Sequence, residues 1–354
     1  MAIRSRILET LVKRFSVTAF ACVFTVVVSH ELSAQASGGS MPGMHHVMGR
    51  PEAIALTLTE QGRELVLELG PFDVPAGDDH TAMRDAPPRW VTFPTDGWLS
   101  GYTVELVDKN GIRVPQRILH HINVIATQQR ELFSPIMLRI AAASGETDPV
   151  SLPSLVGLEA RKGDTLLVRA MLHGGGATSY DGVRIRVHFP LKKKDALIGA
   201  IRIQPFYMDV TPPQGSHVFD LPPGESEKYW EAQPAIGGRI LGFTGHVHKF
   251  ATRIRLEDRT AKKVLWEAKP DTNAAGEIQA IPLKRFLMTL GLGIRTDHTY
   301  RLSVTYYNPT AAVIPDGGMG ALGGVIVPSR GVPWPRIDPR DPLYREDVRG
   351  MSTP

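Results

Sequence analysis

The stretch that decides the fold is Arg239-Ile240-Leu241-Gly242-Phe243-Thr244-Gly245-His246-Val247-His248-Lys249-Phe250-Ala251-Thr252-Arg253-Ile254-Arg255-Leu256. Apolar and β-prone residues on both sides of the histidines make it read as strand. Side chains at i and i+2 of a strand point to one face, so His246 and His248 stand side by side with two imidazoles aimed into one space. That is half of a transition-metal site, because imidazole suits zinc, copper, iron or nickel. The competing reading of so short a motif is two strand histidines on a solvated face. The rest of the chain has to decide.

Working outward, the chain reads as all-β. Ile54 to Thr59 and Arg63 to Leu69 alternate apolar and polar around Gln61-Gly62, a hairpin-like start. Trp98 to Val107, Leu166 to His173 and Val183 to Phe189 continue the pattern, with a turn at Asp108-Lys109-Asn110-Gly111. Residues 71–98 and 126–149 read as loop, the second with a short helix. After Pro190 a new block opens at Ala196, passes through the His-x-His strand, Lys263 to Ala268 and Tyr300 to Tyr307, and closes with the Gly-rich Asp316 to Gly324 and a strand at Val325-Ile326-Val327. Many short strands with Gly/Pro turns and few helix caps predict antiparallel sandwiches or jelly rolls. The boundaries expected are an N-terminal domain over 51–192, a C-terminal domain over 195–335 and a tail over 336–354.

The 354 residues, 42% hydrophobic, suffice for two such cores, and a net charge of +4 without an aromatic-rich basic cluster gives no support to nucleic-acid binding. Residues 1–36 read as a secretory signal. Arg4, Arg6, Lys13 and Arg14 make the basic segment, Ser16 to Ser29 the apolar one, and Ala34-Gln35-Ala36 the small-x-small cleavage site. The apolar run is too short for a membrane span, so an exported chain, periplasmic or secreted, is expected. Cleavage removes Cys22, the single cysteine. A soft-metal site would then use His and Met in place of thiolate. Residues 37–50 form a leader in which Met41, Met44, His45, His46 and Met48 fall close together. It reads either as a copper-capturing arm, receiving the metal from a donor, or as an accident of composition.

Each block holds a sparse set of candidate ligands. In the first they are His120, His121 and His173. Neighbouring strand residues face opposite ways, so His120 and His121 can share a metal only if the backbone bends or the two rings coordinate through different nitrogens. In the second block they are His246, His248 and Met319. A methionine in Asp316-Gly317-Gly318-Met319-Gly320 has little neighbouring bulk, which predicts a ligand rather than a core filler. Two imidazoles and a thioether favour copper over zinc and can hold Cu(I).

His-His, a later single His, His-x-His, then Met in a Gly-rich segment, in that order from about residue 100 to 327, resembles the type II copper, ascorbate-dependent monooxygenases, the family of peptidylglycine α-hydroxylating monooxygenase and dopamine β-monooxygenase. Leu119-His120-His121, Ala170-Met171-Leu172-His173, Gly245-His246-Val247-His248, and Thr305-Tyr306-Tyr307-Asn308-Pro309-Thr310 leading on to Met319 carry the likeness. The resemblance implies two tandem antiparallel jelly-roll β-sandwich domains and two copper ions per chain. His120, His121 and His173 would hold the electron-donating copper. His246, His248 and Met319 would hold the one that binds dioxygen and hydroxylates a C–H bond of an organic substrate, with ascorbate or an equivalent reductant. The family's animal members carry disulfides and this chain, once cleaved, has none. Phe243-Thr244, Ala321 and Gly323 stand where the peptide-amidating members keep an Arg, an Asn and a Tyr for the peptide carboxylate, so peptide amidation is not implied. Met171 replaces those members' glutamine two residues before the third histidine. Two other readings stay open: an exported copper-storage or handover protein without catalysis, and a β-sandwich binding module. No serine nucleophile elbow, phosphate-cradling loop or Cys-x-x-Cys is present.

Overall fold

Alternation of buried and outward side chains is clearest in the strand Tyr180–Lys192, where Val183, Ile185, Val187 and Phe189 turn inward and Arg184, Arg186 and His188 turn outward. Each buried side chain of this size contributes roughly 1.5–3 kcal/mol. The outward set forms a charge ladder: Arg186 Nε donates to Glu68 at 2.7 Å, and His188 lies between Glu64 and Glu105 at 3.4 and 3.3 Å. The computed structural model describes residues 54–77, 84–145, 147, 149–193, 201–213, 217–272, 278–286 and 291–352. The expected signal segment and the Met/His leader lie outside them.

The chain is all-β, in several sheets with sandwich-like arrangements, and one helix is present among the described residues. One sheet runs through the molecule in the order Ala55–Gln61, Glu64–Val74, Tyr180–Lys192, Gly97–Leu99, Val156–Ala160, Ile201–Asp209, Gly320–Pro328, Gly238–Val247. Against its first half packs a sheet containing Leu119–Arg130, Met137–Ala143 and Thr165–Leu172. Against its second half packs a four-stranded sheet of Gly224–Ala232, Tyr300–Asn308, Ala251–Asp258 and Lys263–Ala268. The halves meet where Val156–Ala160 pairs in parallel with Ile201–Asp209, and one apolar cluster passes through both. Phe133, in the link between Leu119–Arg130 and Met137–Ala143, sets its ring edge against Phe206 and Tyr300 of the second half at 6.0 and 6.1 Å.

Three segments differ from expectation. The stretch 71–98 contains the end of Glu64–Val74 and the short strands Arg84–Asp85, Arg89–Thr92 and Gly97–Leu99. Leu119–Arg130 and Met137–Ala143 take up half of 126–149, and no helix occurs among its described residues. Every residue of Met137–Ala143 is buried, so no alternation betrays it as a strand. The third is the chain end, where Pro342–Ser352 is a helix. Asp341 Oδ1 caps it by accepting from Leu343 N at 2.9 Å, and proline suits its first position. Tyr344, Val348 and Met351 pack with Ile337 on Ile125, Met137 and Leu167 of the first half. Asp347 pairs with Arg139 at 3.3 Å with both side chains about 95% buried, and Arg169 Nη1 donates to Gly350 O at 2.9 Å.

Candidate metal centres

The first centre depends on a register shift. Along the pairing of Thr165–Leu172 with Leu119–Arg130, Met171 faces His121 but the next residue, Leu172, faces Leu119. His120 is therefore the extra residue of a β-bulge. A bulge is the local bend that lets neighbouring side chains converge. The His120 and His121 Nδ1 atoms lie 2.9 Å apart, and the His120 ring sits 4.5 Å from that of His173, edge to face. His173 is tied in by its own N–H, which donates to Ile118 O at 2.8 Å. Burial holds the His121 imidazole down to about 3, and the neighbouring His120, Arg169 and His173 push the same way. His121 is therefore neutral and keeps a lone pair for a metal. Two nitrogens each about 2.0–2.1 Å from one ion at angles of about 90–110° are about 2.9–3.4 Å apart, which the His120–His121 pair matches.

The second centre is laid out by cross-strand pairing. His246 faces Ala321 and Val247 faces Gly320. One further step sets His248 opposite Met319. A Cβ on Gly245 would meet Ile254, and one on Gly320 would meet Val304 at 2.8 Å, both toward the four-stranded sheet. His246, His248, Met319 and Ala321 therefore share the other face, as four corners of one patch. The two imidazoles stand edge to face with centroids 5.5 Å apart. Burial lowers His246 to about 4, reinforced by His248 and opposed by Asp209, so it too is neutral.

Met319 does have neighbours, contrary to the expectation from its glycine-rich surroundings. It is 2% exposed and packs with Tyr207, Val218 and Ala321. Nor is 316–324 a loop: Ile314–Gly318 and Gly320–Pro328 are strands. The glycines are required because other side chains occupy their Cβ space, Phe219 at Gly318 and Val304 and Val210 at Gly320. The same sheet row continues from Ala321 to Asp209. Asp209 accepts from Thr211 N and Oγ1, both at 2.9 Å, and from Tyr207 Oη, and it holds His217 Nδ1 at 2.8 Å. His217 and Asp209 carry no spacing signal in the sequence. Sheet pairing sets Asp209 opposite Ala321, and His217 joins through its contact with Asp209.

Among the described residues no three His, Cys, Asp or Glu side chains already close around a point. The imidazoles of each centre pack edge to face. The donor chemistry fits copper: neutral imidazoles in both centres and a thioether in one.

No protein-family model and no curated protein matches the chain. Among solved structures, an Eubacterium rectale protein inferred to be secreted aligns over 70% of this chain and 75% of its own at 11% identity, with a TM-score of 0.21. A Parabacteroides distasonis protein of the same description aligns over 77% and 97% at 8% identity, with a TM-score of 0.16. At such scores the likeness is too slight to argue from. No helix among the described residues is long and apolar enough to cross a membrane.

Proposed function

We propose that the chain is an exported copper-dependent monooxygenase that hydroxylates a C–H bond of an organic substrate. The net reaction takes R–H, dioxygen, two electrons and two protons to R–OH and water, with the electrons drawn one at a time from ascorbate or an equivalent donor. The observation that supports this reading is the placement of the candidate ligands: His120 and His121 meet at a bulge with the His173 ring against His120, and His246, His248 and Met319 lie on one sheet face. Bound copper would supply the one-electron chemistry and the activation of dioxygen.

The chain's own residues would do the following. His120, His121 and His173 would hold the electron-entry metal through nitrogen alone. His246 and His248 would hold the second, and the Met319 thioether would favour its reduced state. Burial of His121 and His246 keeps both rings deprotonated at neutral pH, so no proton has to leave before a metal binds. Tyr207, Val218 and Ala321 pack against Met319 and make that side of the patch apolar.

The test is ascorbate-driven oxygen uptake by the copper-loaded chain and by Met319→Leu, a volume-conserving change that removes the thioether. Loss of uptake is expected. Normal turnover by that variant would show that the oxygen site has been misassigned. A second reading is copper storage or handover, favoured by Asp209. All its acceptor positions are filled within the chain, so the one carboxylate in the row gives a substrate no anchor. That reading expects tight copper binding with no oxygen uptake above that of free copper.

A further inference from the structure

We infer that Tyr306 is a positioning residue for the second centre, a strut from the opposite sheet whose single hydroxyl sets the spacing between His248 and Met319. This rests on the copper reading and adds a residue that the six ligands do not include. Tyr306 lies on Tyr300–Asn308, in the four-stranded sheet, and is fully buried. Its Oη accepts from His248 N at 3.1 Å and from Met319 N at 3.0 Å, and donates to Met319 O. A phenolic hydroxyl has one donor and two acceptor positions. All three are spent on the backbones of the two residues that face each other across the ligand patch.

The location makes the contact consequential. Val247 and Gly320 are the last paired residues of their two strands, so His248 and Met319 sit one step past the end of the ladder. Without a sheet partner at that step, the distance between them is set by whatever bridges them, and Tyr306 does so. The backbone N–H and C=O of Met319, a residue 2% exposed, both take Tyr306 Oη as hydrogen-bond partner, as buried backbone groups require. The ring is itself held, edge-on to Phe219 at 5.8 Å and 85°. Phe219 in turn pairs with Gly318, the residue before Met319. A ligand's backbone support governs how firmly the ligand itself is aimed, and outer-shell partners of metal ligands are typically worth about 10–100-fold in metal affinity.

The experiment uses the mature full-length chain, loaded with Cu(I). It measures affinity by chelator competition and copper–sulfur scattering by X-ray absorption, alongside thermal unfolding of the metal-free protein. In Tyr306→Phe the weakening of Cu(I) binding is expected at the second centre alone, by roughly tenfold or more, with the sulfur signal diminished. A variant that unfolds earlier but keeps both affinity and sulfur signal would assign Tyr306 a merely structural role and overturn the inference. Phe219→Leu loosens the ring without touching the hydroxyl. It is expected to shift the affinity in the same direction by a smaller factor, and unchanged affinity in that folded variant also overturns the inference. A wild-type chain with no copper–sulfur signal would bring down the copper reading and this inference together. A wild-type signal retained intact in both variants would bring down the inference alone.

Discussion

His120 and His121 meet nitrogen to nitrogen, Nδ1 to Nδ1 at 2.9 Å, although neighbours on a regular strand face opposite ways. The bulge at His120, opposite Met171 and Leu172 of the partner strand, makes this possible, and the His173 ring packs edge to face on that of His120. Adjacent histidines thus present two ring nitrogens at close range to one another.

His173→Ala should therefore empty the first centre and spare the second, lowering retained copper from about two per chain to about one. His121→Ala should do the same, but His121 is 3% exposed and its loss should also cost roughly 1–3 kcal/mol of stability. Metal analysis after dialysis checks the count and urea unfolding the stability. Full copper retention by His173→Ala would dissolve the three-imidazole site.

Glu131 gives a pH dependence. It is fully buried, and burial pushes its carboxyl up to about 7, against the pull of Arg139 and of hydrogen bonds from Arg139 N at 2.9 Å and Tyr207 N at 3.1 Å. Its folded-state pKa is raised above the ordinary 4.5, so the folded state holds a proton that the unfolded state gives up. The stabilisation is complete below about pH 4.5 and is lost as pH rises toward 7, by roughly 3 kcal/mol at most. Glu131→Gln should flatten that part of the profile, measured by denaturant unfolding between pH 4.5 and 7.5. A variant whose slope matches the wild type would assign the dependence to other groups.

The helix Pro342–Ser352 should be a structural part of the first half. Asp347→Ala leaves Arg139 buried without its carboxylate partner and should cost roughly 3–5 kcal/mol in urea unfolding. A loss under about 1 kcal/mol would mean that water replaces the carboxylate there.

Gly318→Ala should overpack the chain beside Met319, because its new Cβ would fall on the Phe219 ring. A cost of roughly 1–3 kcal/mol is expected, with recovery in the double variant carrying Phe219→Leu. Additive losses in the double variant would show that the two positions do not meet.

The all-β class was legible in the sequence because stretches such as Val183 to Phe189 alternate in step with a sheet that has one face buried. Met137–Ala143 was not, because it is buried on both faces and ends in three alanines. The i and i+2 relation of His246 and His248 was legible from local geometry alone. The convergence of His120 with His121 was not, because a bulge is a property of two paired strands and the sequence shows one. Met319 misled for a similar reason. Its glycine neighbours suggest an open loop, whereas Tyr207, more than a hundred residues away, packs against it. Tyr306 stood in view in the string Thr305-Tyr306-Tyr307, yet only the fold reveals where its hydroxyl goes.

The measurement that tests the central claim most directly is the number of copper ions retained by the mature chain after loading and exhaustive dialysis, compared with a His246→Ala/His248→Ala double variant. About two in the wild type, falling by one in the variant, is the predicted result. One or none, unchanged by the variant, would contradict it.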